Sequence, residues 1–491
     1  MNFNDATLIY GGPGTGKTTR LLEIVEKEIE NGTPASLIAY VSFTKKATEE
    51  AKMRAAEKFS LEKEDLNGFR TIHSLAYNSL GITHNMVMQK EDMNEIGSAL
   101  GLTFTKRTLE EGFIPAAREG DKFSSLNDFA RSRTLPFDEV WDKFGRDVNK
   151  WAFKQYCETL RQYKQDNNKL DYTDFLHKYL TDAGVTPYHV AIIDEAQDLS
   201  TLQWRVVQKA FSNCDRVYIG GDDDQSINTW AGADPTIFLN IQGKKEILKH
   251  SHRLPESVFN VGIDIVNKIK VRQPKDYEHT GKHGHVHFIS DASYADIANG
   301  EWLLLARNHY MLAPLIELVK MRGISYTSRN GVSVNQDHVA AIKHWERLRK
   351  GAELLGSDIR HLFGYKHNKC PRVADESLYT AHELELDVSK IWHDALTRIP
   401  VAVRSYYLSI LKQGNKLDEP PRVAISTIHG AKGGEADNVL LCTDMSKNNQ
   451  LGYEQQPDFE HRVWYVGATR AKEALHIVGP HGIRSYPVPL N

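Results

Sequence analysis

The sequence predicts an α/β protein of two lobes, each built on a parallel sheet and each carrying a mainly helical insertion. Three observations lead there. Short apolar runs of strand length alternate with stretches of helical period. Several of those runs end in glycines or carboxylates, the residue types that gather where a parallel sheet binds a ligand. Two long polar stretches interrupt the alternation.

The first run, residues 6–10, enters a glycine loop, after which Leu21, Leu22, Ile24, Val25 and Ile29 recur at helical spacing. A second run, 37–42, precedes a charged helix from about Lys45. The pattern resumes at 189–194, which ends in carboxylates, and at 217–220, which runs into Gly221-Asp222. Residues 302–306 form another buried run. Residues 422–443 give two strands around a glycine-rich turn, and 475–478 the last strand. The expected division is 1–82 with 169–255 as the first lobe and 256–329 with 416–491 as the second. The insertions are 83–168 and 330–415.

With 491 residues there is ample material for more than one core. No apolar run approaches the roughly 20 residues that cross a bilayer, and the N-terminus lacks a secretory leader, so a cytoplasmic protein without membrane contact is expected. The net charge of −3 excludes a simple nucleic-acid coat; any such binding must come from a local groove. Cys157, Cys214, Cys370 and Cys442 lie far apart and read as reduced thiols. His367 and Cys370 have zinc-like spacing, but no second pair follows.

Gly11-Gly12-Pro13-Gly14-Thr15-Gly16-Lys17-Thr18 satisfies G-x-x-x-x-G-K-[ST] between a strand and a helix. Glycines let the backbone turn its N–H groups inward as an anion nest opening on a helix N-terminus. Lys17 is the expected partner of the β- and γ-phosphates, and the Thr18 hydroxyl of Mg²⁺, with Thr19 and Arg20 continuing the site. At the end of the run 189–194, Asp194 is the expected second metal-holding group. Glu195 is placed to orient and deprotonate the attacking water. The alternative is a solvated acidic helix start, which would suit Asp198 best.

Together with Asp194-Glu195-Ala196-Gln197-Asp198, the segment Gly221-Asp222-Asp223-Asp224-Gln225-Ser226-Ile227 resembles the UvrD/Rep-like helicases of superfamily 1A. Further segments match the family's order. They are Ser42-Phe43-Thr44-Lys45-Lys46-Ala47, Thr71-Ile72-His73-Ser74, Asp171-Tyr172-Thr173-Asp174-Phe175-Leu176 and Ser251-His252-Arg253-Leu254, then Ser426 to Glu435 and Tyr465 to Lys472. The resemblance implies two RecA-like P-loop lobes with ATP and Mg²⁺ between them. It implies Gln225 as γ-phosphate sensor, Arg253 and Arg470 as arginine fingers, His252 at the base and Glu435 at the ribose. It also implies single-stranded DNA and single-strand/duplex junctions as partners. Phe43 and Trp230 would stack on bases, with a core tryptophan the equal alternative for Trp230, and Thr44, Lys45, His73, Thr427 and His429 would face the backbone.

Several positions depart from the family pattern. The ten residues before Gly11 leave no room for the adenine-reading glutamine. Asn228 replaces an aromatic, Ala231 an arginine, and His252 a stacking aromatic. Both insertions are short, and no nuclease domain is expected after the last motif. The run Lys150-Trp151-Ala152-Phe153-Lys154, continued by Arg161, Tyr163 and Lys164, reads as an aromatic stripe packed against the first lobe; a single-strand platform is the alternative. The leading expectation is an ATP-dependent DNA helicase moving 3′→5′. An RNA motor and a DNA-stimulated ATPase switch that does not unwind are the alternatives, with a small-molecule kinase the weakest.

Overall fold

The computed structural model describes residues 3, 5–43, 45–62, 64–105, 118–145, 148–363 and 372–489. Thr44, His367 and Cys370 lie outside the described residues. By internal contacts the chain forms two units. One is Met1–Gly284 with Lys447–Thr469 and Val488–Asn491; the other is His285–Ser446 with Arg470–Pro487. No helix among the described residues is long and apolar enough to cross a membrane.

The first unit is built on six parallel strands: β1 (Ala6–Tyr10), β2 (Ile38–Ser42), β3 (Phe69–Thr71), β4 (Val190–Asp194), β5 (Arg216–Gly221) and β6 (Gly243–Ile247), in the order β3-β2-β4-β5-β1-β6. Both faces of the central strands are buried, so they read as continuous apolar runs while their side chains still alternate. Leu8, Tyr10, Ala39, Val41, Ala191 and Ile193 enter one core, with the helices Tyr172–Asp182 and Thr201–Ala210 supplying Phe175, Leu176, Leu202 and Val206. Ile9, Ile38, Tyr40, Val190 and Ile192 enter the core on the other face, against Leu21 and Val25 of the helix Lys17–Glu30.

The insertion after β3 holds its own core of Ile96, Phe123, Leu126, Val140, Phe153, Tyr156 and Leu160. This corrects the expectation for the stripe at 150–164. On the helix Lys150–Asp166, Phe153 meets Phe123 and Phe137 at ring distances of 5.6 and 4.9 Å, so the stripe closes the insertion upon itself. Trp151, two positions from Phe153 and so on the other side of the helix, is 72% exposed.

In the second unit a seven-stranded sheet has the order β10-β9-β13-β8-β14-β15-β7. Its strands are β7 (His285–Ile289), β8 (Trp302–Ala306), β9 (Tyr326–Ser328), β10 (Gly331–Val332), β13 (Val423–Thr427), β14 (Ala436–Cys442) and β15 (Ala471–Val478). Only β10 runs antiparallel to its neighbour. Between β10 and β13 lie the short pair β11 (Leu354–Leu355) and β12 (Leu378–Tyr379) and a separate, mainly helical core around Trp345, Ile359, Trp392 and Tyr407.

Candidate active site

Every group of the candidate site in the first unit hangs from the C-terminal end of a strand. The phosphate loop follows β1, Asp194 ends β4, Asp222 follows β5, and Ser251-His252-Arg253 follows β6. Such strand ends at the point where the order reverses form the binding crevice of an open α/β sheet. Gly14, with φ 71°, takes a left-handed turn that a side chain disfavours. A Cβ there would also lie 2.4 Å from that of Arg253. The segment after β6 is tied to the loop: Ser251 Oγ donates to the Pro13 carbonyl at 2.8 Å and the His252 N–H to the Gly14 carbonyl at 2.8 Å. Arg253 therefore borders the loop, while the His252 side chain is exposed.

Lys17 Nζ donates to the Gly11 carbonyl at 2.8 Å and to that of Gly12 at 3.3 Å, which lays the ammonium over the loop. Thr18 Oγ1 donates to Asp194 Oδ2 at 3.2 Å. The same oxygen accepts the Tyr40 hydroxyl at 2.6 Å, and Asp194 Oδ1 accepts the Glu195 N–H at 2.8 Å. Burial, then the neighbouring Glu195 charge, pushes the Asp194 carboxyl up to about 6. A hydroxyl and a carboxylate side by side are hard oxygen donors, and Asp194 is buried next to the half-buried Glu195. The set therefore fits a divalent magnesium ion.

Glu195 has φ 54°, in the left-handed region that a non-glycine residue rarely occupies. Such strain persists where the surroundings hold it. Here Gln197, buried, donates its amide N–H to Glu195 Oε2 and accepts the Asp222 N–H at 2.9 Å. Asp222 Oδ2 in turn accepts Gln225 Nε2 at 2.6 Å. One hydrogen-bonded chain therefore runs Glu195–Gln197–Asp222–Gln225.

Arg20 is tied to Glu246, with Nε–Oε1 at 2.7 Å and Nη2–Oε2 at 3.3 Å; Thr19 is exposed. Among the residues expected at nucleic acid, Phe43 is half-buried against the first core and Lys45 is exposed. The His73 imidazole, pushed down to about 4 by burial, meets the ring of Tyr172 edge-on at 6.1 Å. Trp230 is half-buried, and its indole nitrogen is buried without a hydrogen-bond partner among the described residues.

In the second unit Arg470 is buried and donates to the Gly434 carbonyl at 3.3 Å, while Glu435 is exposed. Thr427 departs from its expected place. It is fully buried at the end of β13, and its hydroxyl accepts the Gly430 N–H at 3.1 Å, so it shapes the turn instead of facing a phosphate. His429, two residues on, is nearly buried as well.

Sequence reasoning did not find Tyr40, Lys275, Tyr277 or Tyr172. Tyr277 lies against the phosphate loop, where a Cβ on Gly12 would fall 2.4 Å from its ring, and its hydroxyl meets that of Tyr465 at 2.7 Å. The one available signal was the segment Asp171–Leu176, already matched to the family, whose Tyr172 is 65% exposed at the start of the helix Tyr172–Asp182.

The family descriptions place these motifs. The UvrD/REP helicase N-terminal domain matches residues 1–246, and the UvrD-like helicase C-terminal domain matches residues 146–479. The chain belongs to the UvrD/Rep helicase family. Among relatives in this family, YjcD of Bacillus subtilis is 26% identical over 293 residues, 55% of this chain and 38% of that one. The ATP-dependent DNA helicase Rep of Buchnera aphidicola is 22% identical over 399 residues, 73% of this chain and 59% of its own. The ATP-dependent DNA helicase PcrA of Staphylococcus epidermidis is 22% identical over 296 residues, 55% and 39% of the two chains. The aligned stretches thus span less than two thirds of these relatives' lengths.

Proposed function

We propose that this chain is an ATP-hydrolysing motor that moves 3′→5′ on single-stranded DNA and separates duplexes at single-strand/duplex junctions. The observation that carries this reading is the chain Glu195–Gln197–Asp222–Gln225 beside Lys17 and the Thr18–Asp194 pair. It joins a base for water to a group that reports on the terminal phosphate.

In this reading the loop amides and Lys17 hold the β- and γ-phosphates. A magnesium ion on Thr18 and Asp194 would neutralise charge on the phosphate oxygens. Glu195 takes the proton of the attacking water, its carboxylate aimed by Gln197. Gln225, steadied by Asp222, contacts the γ-phosphate, so the Asp222–Gln225 turn responds to hydrolysis. Arg253 counters charge that develops during transfer, and we assign the same role to Arg470 and the ribose contact to Glu435. His252 is the proposed neighbour of the base. Phe43, Lys45, His73 and Trp230, joined by Tyr172, are the proposed DNA contacts; stacking there would tolerate any sequence. The family membership and the relatives named as DNA helicases support DNA as the track.

The polarity is tested with two partial duplexes that differ only in the end carrying the single-stranded tail. Separation of the 3′-tailed duplex with ATP is expected. Separation of the 5′-tailed duplex alone would overturn the direction.

A further inference from the structure

Asp222, Asp223 and Asp224 are consecutive and wholly buried, and among the described residues they are the one group of three or more potential metal ligands close enough to share an ion. Their counter-charge comes from the protein. Lys275, its side chain also fully buried, places Nζ 3.2 Å from Asp222 Oδ1, 2.6 Å from Asp223 Oδ1 and 2.7 Å from Asp224 Oδ2. The ammonium stands where a cation would sit. Arg272 grips Asp224 through two hydrogen bonds of 2.8 and 2.7 Å, and the Gln273 N–H reaches Asp223 Oδ2 at 2.8 Å. Two residues past Lys275, Tyr277 packs on Gly12. The segment 272–277 thus braces both the phosphate loop and the turn that carries Gln225.

We infer that Lys275 is a positioning residue for hydrolysis, acting through Asp222 on Gln225. Burial alone would raise the Asp222 carboxyl; the charges of Lys275 and Lys17 outweigh it and hold it below the ordinary carboxylate range. An ionised Asp222 can only accept hydrogen bonds, and it accepts the Gln225 amide N–H at 2.6 Å. That contact fixes which way the amide of the proposed phosphate sensor points. Without Lys275, Asp222 would face Asp223 and the Arg272-paired Asp224 in a buried site and take up a proton more readily; its carboxyl could then donate as well as accept, and the direction of the amide would no longer be fixed.

The inference rests on the proposed role of Gln225, and the experiment separates the two. Wild type, Lys275→Met, Gln225→Ala and the double variant are compared for kcat and KM of ATP hydrolysis with oligodeoxythymidylate. Lys275→Met is expected to lower kcat by about 10–100-fold, the scale on which outer partners of a site act. KM should stay within about threefold. In the Gln225→Ala background the same change should lower kcat less than about twofold, because the pathway is already cut. An equal loss in both backgrounds, or a rise in KM without a fall in kcat, would overturn the inference. Lys275→Met with Asp223→Asn removes one charge of each sign and guards against simple misfolding. It should melt near the wild-type temperature while kcat stays low; recovery of kcat would reduce Lys275 to charge balance and overturn its positioning role. Absence of DNA stimulation in the wild type would instead sink the DNA-motor reading, and the four-way comparison would then be read on hydrolysis without DNA.

Discussion

At the scale of single residues, the site rests on Glu195, whose left-handed backbone aims its carboxylate and whose amide is held by Asp194. Glu195→Gln keeps size and most hydrogen bonding but removes the proposed base. Hydrolysis should fall by about 10²–10⁴-fold with nucleotide affinity retained. Wild-type turnover in that variant would remove Glu195 from the mechanism. Gly12→Ala drives a methyl into the Tyr277 ring, so nucleotide affinity should drop, and an unchanged affinity would contradict the packing. These residues differ in how readable they were. Lys17, Thr18, Asp194 and Glu195 sit inside short motifs whose spacing states their chemistry. Tyr40 looks like one more apolar strand residue, and its partner Asp194 is 154 positions away. Lys275 lies in a polar linker with nothing nearby to mark it. Both matter through contacts that only the folded sheet brings together.

At the scale of elements, the strands were legible because a doubly covered sheet demands uninterrupted apolar runs, and β1, β4 and β8 have them. The strands β7, β9 and β10 of the second sheet were missed, and so were β3 and β6 of the first. The last two flank their sheet as edge strands, and β6, Gly243–Ile247, carries the exposed Lys244 and Lys245 in place of an apolar run. The helix Lys150–Asp166 shows another limit. Its period marked a packed face, but period cannot say what the face packs against, and the partner was the insertion's own core. Phe153→Ala should therefore destabilise this subdomain by about 3–5 kcal/mol. Hydrogen exchange in 119–166 would accelerate, while ATP KM measured below the melting of the insertion would hold. Loosening of the β1–β5 sheet instead would contradict a separate core.

At the scale of the whole molecule, three histidines set an acid limit. Burial leads in pushing His73, His461 and His476 from the ordinary 6.5 down to about 4, with neighbouring positive charge adding to it at His461 and His287 at His476. The folded chain keeps these rings neutral where the unfolded chain protonates them. The stability these three rings contribute is therefore complete above about pH 6.5 and declines as pH falls toward about 4, against an opposite contribution from Asp194 and Asp128, whose carboxyls burial raises to about 6 and about 7. A melting series should show that decline, and His461→Gln should flatten it; a decline of the same size in the variant would remove His461 from the account. Net charge bears on binding in a similar way. At −3 the chain has no general attraction for a polyanion, so DNA affinity must come from a few local contacts.

The most direct test of the motor reading measures ATP hydrolysis at one fixed salt concentration without polymer, with single-stranded DNA and with single-stranded RNA. Strong stimulation by DNA over RNA is the predicted result. Stimulation by RNA equal to or above that by DNA, or by neither polymer, would contradict it.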